Sequence, residues 1–407
     1  MSPPLSDEPS TYFRKGFGLK AAVQEDLSAD YDGRIVDLLR SQAYTLVVDD
    51  VTIRLAREFG FCYGVERAVE YAYQTRRKFP DRRLFLVGEI IHNPHVNARL
   101  RELGVEILER PEPTGAFDFS GIQPDDVVIM PAFGVTMSDF SALRELGCIL
   151  VDTTCGSVLN VWKRVESYAR DGFTSLIHGK YYHEETRATA SQVSKYDDGH
   201  YIVVRDMDEA RFVCEYIEGG VSPADLMARL GRGVSPGFDP LLHLKRIGVA
   251  NQTTMLAKES LAIADEVGAA IARARGADAR TTDFRSFDTI CSATQERQDA
   301  VKELLDEGVD VMVVIGGFNS SNTISLAQLC AEHVPAYHIE TSSGIDPDAA
   351  SIHYRIAAVK HSEADTTGWL PAGPVRVGVT AGASTPNNKI GDVVTRILAT
   401  RGLRIDA

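Results

Sequence analysis

Six cysteines among 407 residues are few. A disulfide-stapled scaffold needs them dense and paired, so that class is excluded and a reducing cytoplasm is the default compartment. Long apolar runs are missing too. No stretch approaches the roughly 20 residues that span a bilayer, and no membrane partner is expected. Positive charge is in deficit: 43 Lys and Arg stand against 57 Asp and Glu, a net charge of −14. Phosphate backbones are held mainly by surplus Lys and Arg, so no nucleic-acid partner is expected. A small anionic ligand is compatible, because it needs only a local electropositive pocket. The first ten residues, Met1 to Ser10, contain Asp7 and Glu8 and no apolar segment. They resemble neither a secretory signal nor an Arg-rich, acid-poor transit peptide. The expected location is a bacterial cytoplasm, with a plastid stroma left open.

What is present is ordinary for a globular enzyme: 44% hydrophobic and 25% charged residues, in a chain long enough for two or three domains. From Val51 onward, short β-branched runs alternate with helical periodicity. Strands are expected at Thr52–Leu55, Leu84–Val87, Val127–Met130, Ile149–Val151, Thr174–Ile177, Tyr201–Val204, Ile247–Ala250, Val309–Ile315 and Val375–Thr380. Between them, Val65–Phe79, Val158–Ala169, Leu256–Ala274 and Gln295–Asp306 place apolar residues at i, i+3 and i+4, as amphipathic helices do. The alternation predicts an α/β fold with mostly parallel sheets. Residues 1–50 read as a partly helical N-terminal arm, amphipathic at Ile35–Leu39. Three α/β lobes are expected over 51–154, 155–290 and 291–407. Ser222–Pro240 and Asp346–Pro374 break the rhythm and read as surface insertions.

Three times the chain runs into a cysteine and then starts a helix: F-G-F-C-Y-G at Cys62, V-D-T-T-C-G at Cys155 and F-D-T-I-C-S-A-T at Cys291. A helix N-terminus carries partial positive charge and free N–H groups, which favour thiolate over thiol. These three are chemically poised. Cys214 and Cys330 sit within helical periodicity and Cys148 enters a strand, so all three read as small core residues. Spacing alone leaves open whether the poised cysteines share a metal, act as single reactive thiols or are structural.

Other strand ends carry polar turns. V-V-I-G-G-F-N-S-S-N puts Ser320, Ser321 and Asn322 at a helix start, a suitable phosphate seat. V-G-V-T-A-G-A-S-T-P repeats the device with Ser384. Ordinary N-capping explains either turn equally well on its own. E-I-I-H-N-P-H offers His92. I-H-G-K-Y-Y-H-E-E-T offers His178, His183, Glu184 and Glu185, a set suited to proton relay, to zinc ligation or to surface hydrogen bonding. A-N-Q-T-T-M adds Thr253 and Thr254.

Taken in order, G-F-C-Y-G-V, E-I-I-H-N-P, V-D-T-T-C, H-E-E-T, N-Q-T-T, C-S-A-T-Q-E-R-Q, G-G-F-N-S-S-N and V-T-A-G-A-S-T-P resemble the LytB family of 4-hydroxy-3-methylbut-2-enyl diphosphate reductases. The likeness runs from about Tyr12 to about Leu403. It is nearest the longer cyanobacterial and plastid-type branch, with its R-K-G-F-G start at Arg14–Gly18 and its P-A-F-G motif. The resemblance implies three lobes arranged pseudo-symmetrically around a central 4Fe-4S cluster, held by Cys62, Cys155 and Cys291, with one iron not ligated by protein. It implies Glu185 as the catalytic acid, and His92, His183, Thr253, Ser320, Ser321, Asn322 and Ser384 as substrate-binding residues. The implied reaction is reductive dehydroxylation of an allylic diphosphate to isopentenyl and dimethylallyl diphosphate, the last step of the non-mevalonate isoprenoid route. Ferredoxin or flavodoxin is the implied electron donor.

Three departures from the family pattern stand out. Phe133 occupies a position where many bacterial members have a substrate-binding histidine. Gly156 follows Cys155 in place of proline, and Ser157–Asn160 differs from the usual sequence. Three readings compete with the reductase: a zinc hydrolase built on His183, Glu185 and a cysteine; a non-catalytic iron–sulfur sensor; and merely structural cysteines.

Overall fold

The computed structural model describes residues 11–112, 115–357 and 362–405. Its strands form three sheets. The first has the order Tyr12–Phe13, Ile149–Asp152, Val127–Met130, Leu84–Val87, Val105–Leu108, and every pairing is parallel. The strand L-F-L-V is buried along its whole length. Leu84 and Leu86 pack with Ala68 and Val69 of helix Tyr63–Lys78, while Phe85 and Val87 pack with Leu143 of helix Met137–Glu145. Alternate side chains of a strand face opposite sides, so a sheet covered by helices on both sides requires such an unbroken apolar run.

The second sheet, Phe284–Ser286, Ile247–Asn251, Thr174–His178, Tyr201–Val204, is likewise wholly parallel. The third is mixed. Ala336–Ile339, Val311–Ile315, Val375–Ala381 and Val51–Leu55 run parallel. Antiparallel strands finish both edges: Thr45–Val48 on one side, and Ile345–Asp346, Ser351–Arg355 and Glu363–Thr367 on the other. The α/β class with mostly parallel sheets is thus realised. Among the described residues no helix is long and apolar enough to cross a membrane.

Several local expectations change. Strand Val51–Leu55, grouped by sequence order with the first lobe, pairs with Val375–Ala381 in the third sheet. Asp346–Pro374 is not simply irregular: its described part contains the antiparallel edge and buries Trp369. Ser222–Pro240 contains helix Pro223–Leu230, capped by the Ser222 hydroxyl, which accepts from the Asp225 N–H at 3.1 Å. Leu226 and Leu230 anchor that helix in the second lobe's core. The N-terminal arm forms helices Lys20–Tyr31 and Arg34–Ser41; its residues 1–10 lie outside the described ones. Val23 and Tyr31 join the first lobe's core, whereas Val36 and Leu39 join the third's, so the arm ties two lobes together.

The carboxyl ends of the parallel strands matter most for function. Met130, Asp152, His178, Asn251, Ile315 and Ala381 each end a strand, and the loops that follow carry the candidate residues. Loops at this edge of parallel sheets are where α/β folds place ligands.

Candidate active site

Each poised cysteine is the N-cap of a helix. Cys62 precedes Tyr63–Lys78, Cys155 precedes Gly156–Arg170 and Cys291 precedes Ser292–Asp306, all with extended backbone at the cap. All three are free and half-buried. Burial pushes the Cys155 thiol above its ordinary range, and the nearby Cys62 charge adds to this. Burial likewise pushes the Cys291 thiol up to about 11, opposed by bonds from Thr294 and reinforced by the charges of Cys62 and Glu185. Cys62 is therefore close enough to be felt by both partners. Gly64 lies against Cys155, where a Cβ would collide with the sulfur. A thiol that disfavours the ionisation of both its neighbours suits a shared cationic centre, which reverses the sign of that interaction. By contrast Cys148, Cys214 and Cys330 are buried among apolar side chains, as read from sequence.

The second group surrounds Glu185. Helix Glu184–Ala190 starts at His183, whose Nδ1 accepts the Glu185 N–H at 3.1 Å. That bond leaves the proton of the neutral ring on Nε2. The Nε2 lies 3.2 Å from His92 Nε2, so His183 donates and His92 accepts. His92 then carries its proton on Nδ1 and donates to Glu89 Oε2 at 2.8 Å. Desolvation is the main reason His183 titrates well below its ordinary value, with His92 and Lys180 adding. Glu185 is 1% exposed, and burial pushes its carboxyl up to about 7. The Thr253 N–H donates to Glu185 Oε1 at 2.6 Å and partly offsets that effect. Desolvation thus makes a carboxylic acid that still carries a proton near neutrality.

The third group is the Ser/Asn turns. Ser320 caps helix Ser321–Ala331. Asn322 Nδ2 donates to Thr294 Oγ1 at 3.4 Å, while its Oδ1 accepts the Ala383 N–H at 2.9 Å. Ser384 Oγ donates to the His92 carbonyl at 3.1 Å. The three groups meet through shared residues. Thr253 holds Glu185 by its N–H and accepts the Cys291 N–H at 3.3 Å. Ala383 holds Asn322 by its N–H and accepts the Cys62 N–H at 3.2 Å. Thr294 Oγ1 touches Cys291 Sγ at 3.0 Å and receives Asn322. These bonds bring Cys62, Cys291, Glu185, Thr253 and Asn322 together, and Ser384 joins them through His92, whereas His178 lies fully buried against Ser260.

Residues the sequence reading passed over also appear. Glu89 orients His92, and Asn319 Nδ2 donates to the same Glu89 oxygen at 3.0 Å. Both lie inside the quoted motifs, at the first position of E-I-I-H and the fourth of G-G-F-N. Phe133 stacks on His92 with ring centroids 4.3 Å apart and meets His183 edge-on at 5.7 Å. His92, His183 and Glu184 place ligand atoms within 4.8 Å of one another, whereas Glu185 turns its carboxylate toward Thr253.

The sequence profile of the LytB protein family matches residues 53–398. The chain belongs to the LytB family. Its relatives include proteins of Thermosynechococcus vestitus and Gloeobacter violaceus, each named 4-hydroxy-3-methylbut-2-enyl diphosphate reductase. The first is 46% identical over 393 residues, covering 96% of this chain and 95% of the relative. The second is 46% identical over 395 residues, covering 96% and 93%. A solved structure of (E)-4-hydroxy-3-methyl-but-2-enyl diphosphate reductase, described as the terminal enzyme of the non-mevalonate pathway, is 28% identical. It aligns with a TM-score of 0.51 over 85% of this chain and 98% of that one. A Plasmodium falciparum reductase structure, 20% identical, shares the fold with a TM-score of 0.61 over 85% and 87%.

Proposed function

We propose that this LytB-family chain reduces 4-hydroxy-3-methylbut-2-enyl diphosphate to isopentenyl and dimethylallyl diphosphate. The observation that carries the reading is that two N-cap cysteines, Cys62 and Cys291, share backbone partners with the Asn322 turn and the buried protonatable Glu185, while the third, Cys155, lies against Gly64 just after Cys62. The names of its relatives supply the reaction.

The residues present fit a 4Fe-4S cluster on Cys62, Cys155 and Cys291. A cluster held by three thiolates would supply electrons one at a time and an iron free to polarise the allylic hydroxyl. Overall the reaction takes up two electrons and two protons and releases water. Glu185 supplies the first proton at the allylic oxygen, because burial keeps its carboxyl protonated near neutrality. The Thr253 N–H fixes the Glu185 carboxylate, and the ring nitrogen of His183 fixes the backbone from which Glu185 springs. His92, Ser320, Ser321, Asn322 and Ser384 hold the diphosphate, whose own hydroxyl is placed to supply the second proton. The buried rings of His92 and His183 and the half-buried ring of Phe133 keep water from the allyl group. An external one-electron carrier such as ferredoxin or flavodoxin completes the cycle, in a bacterial cytoplasm. A zinc hydrolase on His183, Glu185 and a cysteine fits less well, since the ligand atoms that converge on His183 are those of His92 and Glu184.

The test is anaerobic purification followed by visible and Mössbauer spectroscopy and assay with a low-potential donor. Iron–sulfur absorption and turnover of the hydroxylated diphosphate are expected. A colourless protein, or one active only with zinc, defeats the reading.

A further inference from the structure

The diphosphate seat just proposed is short of formal positive charge. Serine and asparagine carry none, His183 is buried and neutral, and His92 is committed at both ring nitrogens, to Glu89 and to His183. Phe133 stands where many family members have a histidine, and its ring donates nothing to an anion. A diphosphate brings about three negative charges into this cleft.

Lys180 lies at the opposite wall. It follows strand Thr174–His178 after Gly179, where a Cβ would stand 2.7 Å from Thr186 Oγ1 and 3.0 Å from Gln252 Cβ. Its N–H donates to the buried Gln252 Oε1 at 3.3 Å, and its carbonyl accepts the His183 N–H at 2.9 Å. The root of the side chain is thereby fixed in the same turn that presents His183 and Glu185. The ammonium crosses from the second lobe to the third and donates to Ser321 Oγ at 3.0 Å.

That crossing sets two positive ends against each other. Ser321 is the first residue of helix Ser321–Ala331, whose first turn contains no acidic residue. A helix N-terminus repels a cation and attracts an anion, so an ammonium held there is stabilised by an anion between them. The place is open to a ligand. Lys180, His183, Asn319 and Ser321 line one cavity of about 640 Å³. Among the described residues that line it, Arg205 pairs with Glu209 at 2.5 Å, Arg355 bonds the Phe318 carbonyl, Glu363 bonds His353 at 3.0 Å and Asp206 accepts the Glu209 N–H at 2.9 Å. Glu259 accepts the Met207 N–H at 3.2 Å.

We infer that Lys180 is a diphosphate-binding residue of this chain, supplying from the second lobe the charge that Phe133 does not supply from the first. The inference rests on the function proposed above and extends its binding site. The iron-loaded enzyme is compared as wild type, Lys180→Met, Lys180→Arg and the double variant Lys180→Met with Phe133→His. Inorganic diphosphate binding is read by calorimetry, and KM and kcat are read separately. The methionine variant is expected to bind inorganic diphosphate about 10- to 100-fold more weakly and to raise KM similarly, with kcat within about threefold. The arginine variant is expected to keep most of the affinity, and the double variant to regain at least about tenfold.

Equal affinity in wild type and Lys180→Met overturns the inference, as does lost affinity that Phe133→His leaves unrestored. If the methionine variant loses its iron, Lys180→Arg and Lys180→Gln decide instead: retention by arginine with loss by glutamine supports it, and equal affinity overturns it. A wild type that neither binds inorganic diphosphate nor turns over removes the proposed function as well. A wild type that does both, beside an unchanged Lys180→Met, removes Lys180 alone.

Discussion

At one end of the cleft three helices begin on thiols; at the other a helix begins on a hydroxyl. At the thiol end each side chain stays at its own helix start, and only backbone reaches across, with the Cys62 and Cys291 N–H groups held by the Ala383 and Thr253 carbonyls. Cys291 Sγ accepts the Thr294 N–H of its own helix at 3.3 Å. The hydroxyl end is assembled across lobes. Ser384 reaches the His92 carbonyl, Ser321 receives Lys180, and Asn322 joins Thr294 to Ala383. At one end the side chains stay within their own helix starts, and at the other they link the lobes. A lost thiol therefore removes a ligand while leaving the anion seat standing. A lost hydroxyl weakens a seat that several other groups still hold.

The largest expected effect, and the surest way to break this contrast, is Cys291→Ser. It should abolish turnover and strip most of the iron–sulfur absorbance while leaving inorganic diphosphate binding within about threefold of wild type, since the seat's bonds remain. Retained iron with lost diphosphate binding would reverse the contrast.

Glu185→Gln comes next. It should lower kcat by about 10²- to 10⁴-fold with the visible spectrum unchanged. The wild-type rate should fall as pH rises through about 7, because Glu185 loses its proton there, and the glutamine variant should lack that limb. The linked stability has the same sign. A raised folded-state pKa means stability fully present below the unfolded carboxyl value and lost as pH rises through about 7. Chemical denaturation of wild type and Glu185→Gln at pH 5 and pH 8 reads this directly.

Ser384→Ala should be milder, raising KM about five- to tenfold, the scale of one hydrogen bond near 1 kcal/mol, with iron content unchanged. A collapse of kcat instead would place Ser384 in the chemistry rather than in the seat. Smallest of all is Cys330→Ala, at a fully buried core position. It should cost about 1 kcal/mol in denaturant unfolding and alter neither iron content nor kinetics.

Much of this was legible in the sequence where local rules govern. Runs such as V-V-I-M at Val127–Met130 and V-M-V-V-I at Val311–Ile315 are strands because both faces are covered, and continuous apolarity records that. The cysteines announced themselves by standing where strand-ward patterning gives way to helix. What escaped was set by distant partners. Nothing within Val51–Leu55 says that its neighbour is Val375–Ala381. Glu363–Thr367 reads E-A-D-T-T, with three of five residues exposed, so its pairing leaves no apolar signature. Lys180 stood inside a quoted loop and drew no reading of its own, because only tertiary structure carries its ammonium to Ser321. Phe133 was seen as a missing histidine. Its stacking on His92 belongs to packing between loops.

The pairing of Val51–Leu55 with Val375–Ala381 also sets an order of events in time. Leu55 pairs with Val379, and seven residues after Leu55 the Cys62 N–H is held by the Ala383 carbonyl. While the ribosome is still making residues before 375, neither hold exists, and the earliest cysteine of the set has no fixed place. Cys155 and Cys291 emerge later, yet their own helices can already form behind them. The first cysteine translated is thus the last to be positioned, and the metal centre proposed on all three thiols waits for the segment that carries Ala383.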